Sequence, residues 1–582
     1  MPTGCGIGIG TPFMQSSGVP LPPFPWTPDF TPFQFEVAVN ATGNGGSGNN
    51  TIRLPFRPIV ATKQASLAAG WAIDVDWGDG QTTSYTSFPT TDFEITHTYG
   101  TSINRIISIS MNAAATVNTL KGWSYGSASS VYNSYDSYKF LRVLNWGIFD
   151  FAADVIGDSG NQEDYDTANY FAAISNTVAW KPTFPPHISG TSLRGLWSGD
   201  YRARNGQVPT QPFTCPYLSQ WDTSGVQSLQ ETCSLNYGFN SAQLPAAQRA
   251  DWSGVNDWDV SNVTNMKETF YRQISLLGPE VESWNVSNVT TMFQMFRECE
   301  NFNGNISSWN TSNCKNFSSM FQQATIFNQP LDSWDVSNAE YSLFPDFNRG
   351  LKSMFRDASS FDQYLGSWDV SNNFEFDFMF SGCTSFGTGA DRGLGNWVFR
   401  TGTSGSPSGR GVSMQSMFAA CTNFNDDISS WNVSNVSRFD GFLGSAQAFN
   451  RDLGSWDMTG THFVGSGTNQ GSVSGMFAGA TNVDFDMSSW DLKQTGVVFG
   501  FMNNPFNGPT PNDPTLSVSN YDATLVAFGA RVPYTRIPLN PQFQNNYFTF
   551  GNSKYTGTDT AVVAGRNALI NDLGNLQDGG AV

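Results

Sequence analysis

Hydrophobic and polar positions recur along the middle of the chain with a period of about 25 residues, which lies in the range typical of repeat proteins. Trp258, Trp284, Trp309 and Trp334 follow one another at nearly equal intervals. Ten tryptophans belong to this pattern: Trp221, Trp258, Trp284, Trp309, Trp334, Trp368, Trp397, Trp431, Trp456 and Trp490. Such a period predicts a solenoid, in which each coil packs only on its neighbours.

Other residue types recur at fixed distances from the tryptophans. An aromatic residue stands seven positions before five of them: Phe302, Phe327, Phe361, Phe424 and Phe449. We predict a short extended segment at each Ser-Trp-Asp-Val-Ser, followed by a compact turn or helical piece that carries Met-x-x-Met-Phe inward. The asparagine four residues after the tryptophan, such as Asn288, is predicted to bind the backbone of turns between coils.

Three coils are longer than the others, and they alternate with short ones. The intervals from Trp334 to Phe355, from Trp397 to Phe418 and from Trp456 to Phe477 are equal, and each exceeds the parent interval, such as Trp309 to Phe321, by the same insertion. Insertions that recur on one edge of a solenoid often form its binding face. A tolerated surface loop is the alternative for each of them. The candidate binding residues at these insertions are Tyr341, Phe344, Arg400, Arg410 and His462.

The flanking regions differ from the array. Residues 1–31 are rich in proline and glycine, cannot form a core of their own, and are interpreted as an arm that docks on a neighbouring subunit. Residues 32–142 alternate β-type runs with turns, which predicts a β-sandwich. The array is assigned to residues 143–505. Residues 506–582 contain two segments with helical apolar spacing and are predicted to cap its end. The predicted fold class is therefore mainly β, with a small α-containing cap.

Two resemblances follow from particular motifs. The segment from Val75 to Gly80, with Trp-Gly-Asp-Gly, followed by His97-Thr98-Tyr99, is similar to the signatures of PKD-type immunoglobulin-like domains. The repeat beginning at Trp258, Trp-Asp-Val-Ser-Asn-Val-Thr, resembles the leucine-rich-like array of BspA-like bacterial surface proteins. These resemblances imply an immunoglobulin-like sandwich followed by a leucine-rich-like solenoid, and a role in adhesion.

Composition narrows the classes of partner. The formal net charge is −19, which argues against nucleic acid and anionic membranes as partners. No apolar run is long enough for a transmembrane helix, and the first residues lack the features of a secretory signal peptide. The seven cysteines form no zinc-type pair. Buried free thiols are expected, with a disulfide between Cys383 and Cys421 left open.

No constellation of side chains predicts catalysis. The three histidines, His97, His187 and His462, lie in separate regions. The aspartates that follow the tryptophans recur as a column, which indicates turn formers better than a singular acid/base pair. Calcium near Asp74, Asp76 or Asp79 fits on charge grounds alone. We therefore assign no cofactor, no metal and no catalytic residue.

The sequence thus predicts a non-enzymatic protein for surface recognition, adhesion or display. The expected partners are a protein or glycan on a cell surface and neighbouring subunits bound through the arm, with no nucleic acid and no membrane insertion. The start of the chain favours a virion surface, as a fibre, spike or capsid decoration. A bacterial cell-surface adhesin is the alternative, and a carbohydrate-active enzyme is the second alternative.

Overall fold

The computed structural model describes residues 31–39, 50–54, 56, 71–87, 95–115, 140–146, 149–151, 185–197, 215, 217–234, 252–274, 276–339, 350–389, 391–401, 411–461, 472–492, 502, 513–532, 548–550, 552–573 and 576–582. Nearly all of the predicted arm and the inserted loops at 340–349, 402–410 and 462–471 lie outside them. The described part consists of short strands, turns and two α-helices, which confirms the mainly β prediction at that level.

A five-stranded antiparallel sheet forms the first part of the chain. Its strands are β1 (Phe33–Val37), β3 (Ile73–Asp76), β4 (Thr82–Tyr85), β6 (Arg105–Met111) and β7 (Phe140–Asn145), in the spatial order β4-β3-β6-β1-β7. A separate antiparallel pair joins β2 (Thr51–Arg53) to β5 (Thr96–Thr98). Alternate residues of β1 are buried, so the sheet has one apolar face. β7 continues past residue 142, where the sequence places the end of the first domain.

The two motifs that resemble PKD-type domains meet in space. The rings of Trp77 and His97 stack with centroids 4.8 Å apart, and His97 Nε2 lies 2.8 Å from Asp79 Oδ2. The hydroxyl of Tyr99 donates to the carbonyl of Trp77 at 2.9 Å. These contacts join the turn after β3 to β5 and its end. His97 therefore has a structural role, as its place in the motif predicts.

The tryptophans of the array form a buried column. All ten are at most 4% exposed, and neighbours such as Trp309 and Trp334 stack with centroids 6.2 Å apart. From Trp258 onward, each indole Nε1 donates to a backbone carbonyl of the preceding coil, three residues before that coil's own tryptophan. Trp309, for example, donates to the carbonyl of Val281 at 3.2 Å. The indoles thus both fill the core and hydrogen-bond adjacent coils together.

The Met-x-x-Met-Phe piece consists of turns in place of a helix. In the coil of Trp284, Gln294 and Glu298 have φ of 55° and 60°, in the left-handed region. Such residues cost on the order of 1 kcal/mol each, but they align alternate N–H groups with the next coil. The N–H groups of Met292, Gln294, Phe296 and Glu298 donate to the carbonyls of Asn316, Ser318, Met320 and Gln322 at 2.9, 3.1, 3.0 and 2.7 Å. Successive coils are therefore joined by a parallel backbone ladder, which satisfies buried polar groups.

The asparagine column binds backbone between coils, as predicted. The Nδ2 groups of Asn288 and Asn313 donate to the carbonyls of Ser261 and Ser287 in the preceding coils, both at 2.7 Å. The aspartate or asparagine that directly follows most of the tryptophans forms a turn. Asp335 Oδ1, for example, accepts the N–H of the serine two residues later at 2.9 Å. These carboxylates and amides therefore serve the backbone.

The cysteines of the described part are all buried and free. Cys299, Cys383 and Cys421 occupy the small-residue position of their coils, and each Sγ donates to a carbonyl of the preceding coil at 2.9 Å. The disulfide left open between Cys383 and Cys421 is absent here. Burial raises the pKa of the Cys299 thiol well above its ordinary range, which keeps it in the unreactive thiol form.

Both ends of the stacked coils are covered. Trp146, next to β7, packs against Trp221 with ring centroids 5.9 Å apart, so the sheet and the first coils share one core. At the other end, α1 (Val518–Ala530) packs on α2 (Thr560–Leu573). Arg531, just after α1, donates to the carbonyl of Trp490 at 3.1 Å. The residue that follows α1 is thus bonded to the coil of the last tryptophan, and the role of residues 506–582 as a cap stays a prediction.

The remaining elements are short. β8 (Val412–Ser413) pairs in parallel with β9 (Val436–Arg438), and β10 (Phe548–Thr549) with β11 (Leu576–Gln577). Short 3-10 turns lie at Leu218–Gln220, Ser253–Asp257, Leu394–Asn396 and Met458–Thr461. The first three directly precede Trp221, Trp258 and Trp397, and so orient the backbone from which each indole points into the core.

Candidate functional site

The three inserted loops are rooted at equivalent points of their coils. They leave after Ala339, Thr401 and Thr461, four or five residues past the coil's tryptophan. Two of these roots, Ala339 and Thr461, are fully buried. The chain returns at Gly350, Gly411 and Ser472, next to the following short coils. We call this row of roots the loop edge.

Close packing defines where the loops return. A Cβ on Gly350 would collide with the side-chain oxygen of Asn373, and a Cβ on Gly411 would collide with the carbonyl of Asn435. Gly350 also has a φ of 53°, which favours glycine. Ser472 forms a parallel bridge with Arg438. The loops therefore re-enter the stack in fixed contact with their neighbours.

Arg400 is the one candidate binding residue within the described part of the chain. Its guanidinium lies 4.5 Å from the ring centroid of Phe374, and its carbonyl accepts the Nδ2 of Asn435 at 2.9 Å. The half-buried side chain therefore lies on the neighbouring coil at the root of the second loop. Tyr341, Phe344, Arg410 and His462 lie outside the described residues, and their role in binding stays a prediction.

Paired charges line the coils beside the loop edge. Lys352 Nζ lies 2.8 Å from Glu375 Oε1 and 3.6 Å from Asp377 Oδ2. Asp377 also accepts the N–H of Gln415 at 2.9 Å and the hydroxyl of Ser413. These groups lie on successive coils and compensate one another. They stabilise the edge.

A second feature interrupts the periodicity, and the sequence reasoning missed it. Phe386 precedes its tryptophan by eleven residues, where other coils have seven. The extra residues position Arg392, which is only 3% exposed, between the carboxylates of two neighbouring coils. Arg392 Nε donates to Asp362 Oδ1 at 2.7 Å, and its backbone N–H donates to Asp426 Oδ2 at 3.0 Å. We call these three residues the arginine cluster. The changed spacing after Phe386 was the available signal.

The carboxylates of the arginine cluster are occupied by contacts within the protein. Asp362 also accepts the N–H of Gly387 at 2.9 Å and the hydroxyl of Thr388 at 2.7 Å. Asp426 is almost fully buried. Burial raises the pKa of Asp426 from its usual 3.8 to about 6, although its contacts with Arg392 act in the opposite direction. Both carboxylates are therefore committed to contacts within the protein.

This pKa shift predicts a pH dependence of stability. Because the pKa is raised in the folded state, the folded protein binds a proton more tightly, and this group favours folding increasingly as pH falls from about 6 to about 4. Above pH 6 the buried charge opposes folding. Asp426→Asn removes this charge and keeps an acceptor for the Arg392 N–H. At pH 7 its free energy of unfolding should therefore exceed that of the parent by about 1–2 kcal/mol, so the variant is more stable.

Urea titrations of both proteins at pH 4, 5, 6 and 7 measure this effect. The difference between the variant and the parent should shrink towards pH 4. A difference that grows as pH falls would contradict the assignment to Asp426. Asp427→Asn serves as the neighbouring control, since the pKa of Asp427 is lowered, chiefly by its hydrogen bond with Ser429, and its side chain is exposed.

Other expectations about chemistry concern the described residues only. Asp74 Oδ1 accepts the hydroxyl of Ser84 at 2.6 Å, and Asp76 Oδ1 accepts the N–H of Gly78 at 2.9 Å. Over these residues no group of three or more His, Cys, Asp or Glu side chains is arranged to hold a metal ion. Neither α-helix of the described part is long and apolar enough to cross a bilayer.

Comparison with known proteins bears on the repeats alone. The family model described as "Mycoplasma protein of unknown function, DUF285" matches residues 235–344, 346–405 and 409–510, somewhat under half of the chain. Neither curated proteins nor solved structures gave a match. The matched stretches contain the tryptophan coils from Trp258 to Trp490. At a coarse level, this match supports a BspA-like surface protein, in agreement with the resemblance seen in the repeats.

Proposed function

We propose that this chain is a non-enzymatic recognition protein that displays its three inserted loops to a protein or glycan on a cell surface. The observation that carries the proposal is the loop edge, where loops of matched length leave alternate coils at equivalent points. Stacked coils whose backbone groups are satisfied by their neighbours provide a stiff support for such loops. Arg400, held on Phe374, is the candidate contact nearest to that support.

The proposal includes an architecture. The parallel ladder between coils and the buried tryptophan column support a leucine-rich-like solenoid for the repeats. The joined Trp-Gly-Asp-Gly and His-Thr-Tyr motifs support a PKD-type immunoglobulin-like sandwich for the strands that precede it. We further propose an extracellular location and contacts with neighbouring subunits through the arm at residues 1–31. Nucleic acid and membrane insertion have no part in this proposal.

The protein could be displayed on either of two surfaces, that of a virion or that of a bacterial cell. The sequence favours a virion surface, whereas the matched family is described from Mycoplasma, which favours a bacterial cell surface. Gold-labelled antibody imaging of the source culture decides between them. Label on virus particles supports a fibre, spike or capsid decoration, and label on cell envelopes supports an adhesin.

The loops are predicted to carry adhesion but little stability. Replacing residues 340–349, 402–410 and 462–471 by short turns should change the melting temperature by only a few degrees, because loop length contributes weakly to the free energy of unfolding. Adhesion to host cells, measured as bound protein by flow cytometry, should fall about tenfold or more.

A matched variant keeps the loop lengths and scrambles their sequences. It should lose adhesion to the same extent if side chains of the loops make the contacts. Adhesion that survives both changes would contradict the proposal. Exchanging one loop at a time then identifies which loop matters, and Arg400→Ala tests the contact at the second root.

A carbohydrate-active enzyme is the competing class, because Asp362 and Asp426 are two carboxylates on the coils either side of the one that carries Arg392. Their burial around Arg392 supports a structural role. Incubation of the protein with a panel of polysaccharides tests the alternative directly. Measurable turnover that Asp362→Asn or Asp426→Asn abolishes would replace the proposal of a non-enzymatic protein.

A further inference from the structure

Tyr364 is a large aromatic residue that the core does not use. It stands four residues before Trp368, and its side chain is 46% exposed. At the same position the other coils carry small or polar residues, apart from Tyr217 in the first coil: Gly254, Glu280, Asn305, Pro330, Gly393, Asp427, Asp452 and Asp486. The position is therefore no part of the aromatic ladders, and Tyr364 is not explained by the repeat.

The hydroxyl end of the ring packs closely on the backbone of two coils. A Cβ on Gly366 would collide with the hydroxyl end of Tyr364, and a Cβ on Gly393 would come within 2.5 Å of the ring edge. Gly393 has a φ of 73° and belongs to the irregular segment that follows Phe386. Two glycines thus make room for the hydroxyl end of the ring, and nearly half of the residue stays exposed. We call Tyr364 with this glycine bed the tyrosine platform.

Polar groups surround the platform without a net positive charge. The Nδ2 of Asn396 lies 3.5 Å from the hydroxyl of Tyr364, and Asn396 is exposed. Asp391 is exposed too, and one of its oxygens accepts the N–H of Gly393 at 2.8 Å. The nearby positive charge of Arg392 is buried between Asp362 and Asp426. These described residues therefore offer an anionic ligand no accessible cation, and the net charge of −19 opposes it further.

We propose that the tyrosine platform is a binding subsite for a neutral hexose unit of a glycan. One apolar face of a pyranose ring packs on the exposed surface of the Tyr364 ring, and its hydroxyl groups bond to Asn396 and Asp391. A flat aromatic surface with donors and acceptors at its rim matches a ligand that has one C–H face and equatorial hydroxyls. The inference rests on the proposed recognition function and names a ligand class for it.

The test uses the full-length chain and a panel of immobilised oligosaccharides that end in neutral hexoses, N-acetylhexosamines or sialic acid. The parent protein should bind neutral members and should not bind sialylated ones. Tyr364→Ala should weaken binding about tenfold, since it removes the aromatic surface on which the sugar packs. Tyr364→Trp should retain binding.

Two further variants separate the site from general effects. Gly366→Ala keeps the tyrosine but displaces its ring from the bed, so it should weaken binding about as much as Tyr364→Ala. Tyr217→Ala is the matched control, because Tyr217 has the same coil position and is 43% exposed, but Ser219 stands where Tyr364 has Gly366. Its binding should equal that of the parent.

The outcomes distinguish this inference from the proposed function. Absence of neutral glycan binding by the folded parent, or unchanged binding by Tyr364→Ala, overturns the platform. If adhesion to cells still depends on the three loops in that case, the recognition function stands and its ligand is another one. If neutral glycans bind and cells do not, the subsite stands and the role of the loops fails. Preferential binding of sialylated members also overturns the inference.

Discussion

Trp309→Ala is expected to lower the free energy of unfolding by about 3–5 kcal/mol, the range for removing a large buried aromatic side chain. The indole of Trp309 is 3% exposed, stacks with Trp334, and donates from Nε1 to the carbonyl of Val281. The substitution therefore opens a cavity and removes a hydrogen bond between coils. Because coils contact only their neighbours, the loss should be concentrated near this position.

Trp309→Phe separates the two contributions. It retains most of the apolar surface and removes the donor, and the carbonyl of Val281 still accepts the N–H of Trp284 at 3.2 Å. A loss of about 1–2 kcal/mol is expected. Urea unfolding measures the total effect, and hydrogen exchange in adjacent coils measures its spread. A loss below about 1 kcal/mol for Trp309→Ala would mean that this indole does not support the core.

Arg392→Ala is expected to cost about 3–5 kcal/mol at pH 7, as for removal of one partner from a buried ionic contact. The change leaves the carboxylates of Asp362 and Asp426 without the guanidinium that lies between them. Lowering the pH to about 4 should recover part of the loss, since protonation relieves the buried charge of Asp426. Denaturant titrations of the variant and the parent at pH 4 and pH 7 measure the effect.

The triple variant Arg392→Ala, Asp362→Asn and Asp426→Asn is the critical comparison. It removes the charges together, so it should be more stable than Arg392→Ala alone at pH 7. Arg392→Lys keeps the charge but not the planar fork, and should lie between the parent and the alanine variant. A triple variant as unstable as the single one would show that Arg392 acts through packing.

The core of the repeats was predictable because each coil repeats the same sequence. A residue that recurs at a fixed position must lie beside its own counterparts, so the tryptophan column follows from spacing alone. The same reasoning gave the asparagine contacts and the turn-forming aspartates. It did not give the hydrogen bond from Trp309 to Val281, which depends on the register between the backbones of neighbouring coils.

The candidate site was predictable in part. Equal insertion lengths located the loop edge, and the structure adds the contact of Arg400 with Phe374. The turn conformation of Met-x-x-Met-Phe could not be chosen over a helix from apolar spacing, because residues such as Gln294 adopt left-handed φ only when neighbouring coils supply hydrogen bonds. The function of the four candidate residues outside the described part stays a prediction.

By itself, the sequence determined that this protein contains stacked coils, which side chains form their core and where three loops interrupt them. A periodic pattern fixes these features, since it repeats the same local preferences in every coil. Only the tertiary structure decided the arginine cluster and the tyrosine platform. Both join residues that are distant in sequence and lie on different coils, and the extra residues after Phe386 change which side chains become neighbours there. Burial of Arg392 between Asp362 and Asp426 follows from that local shift.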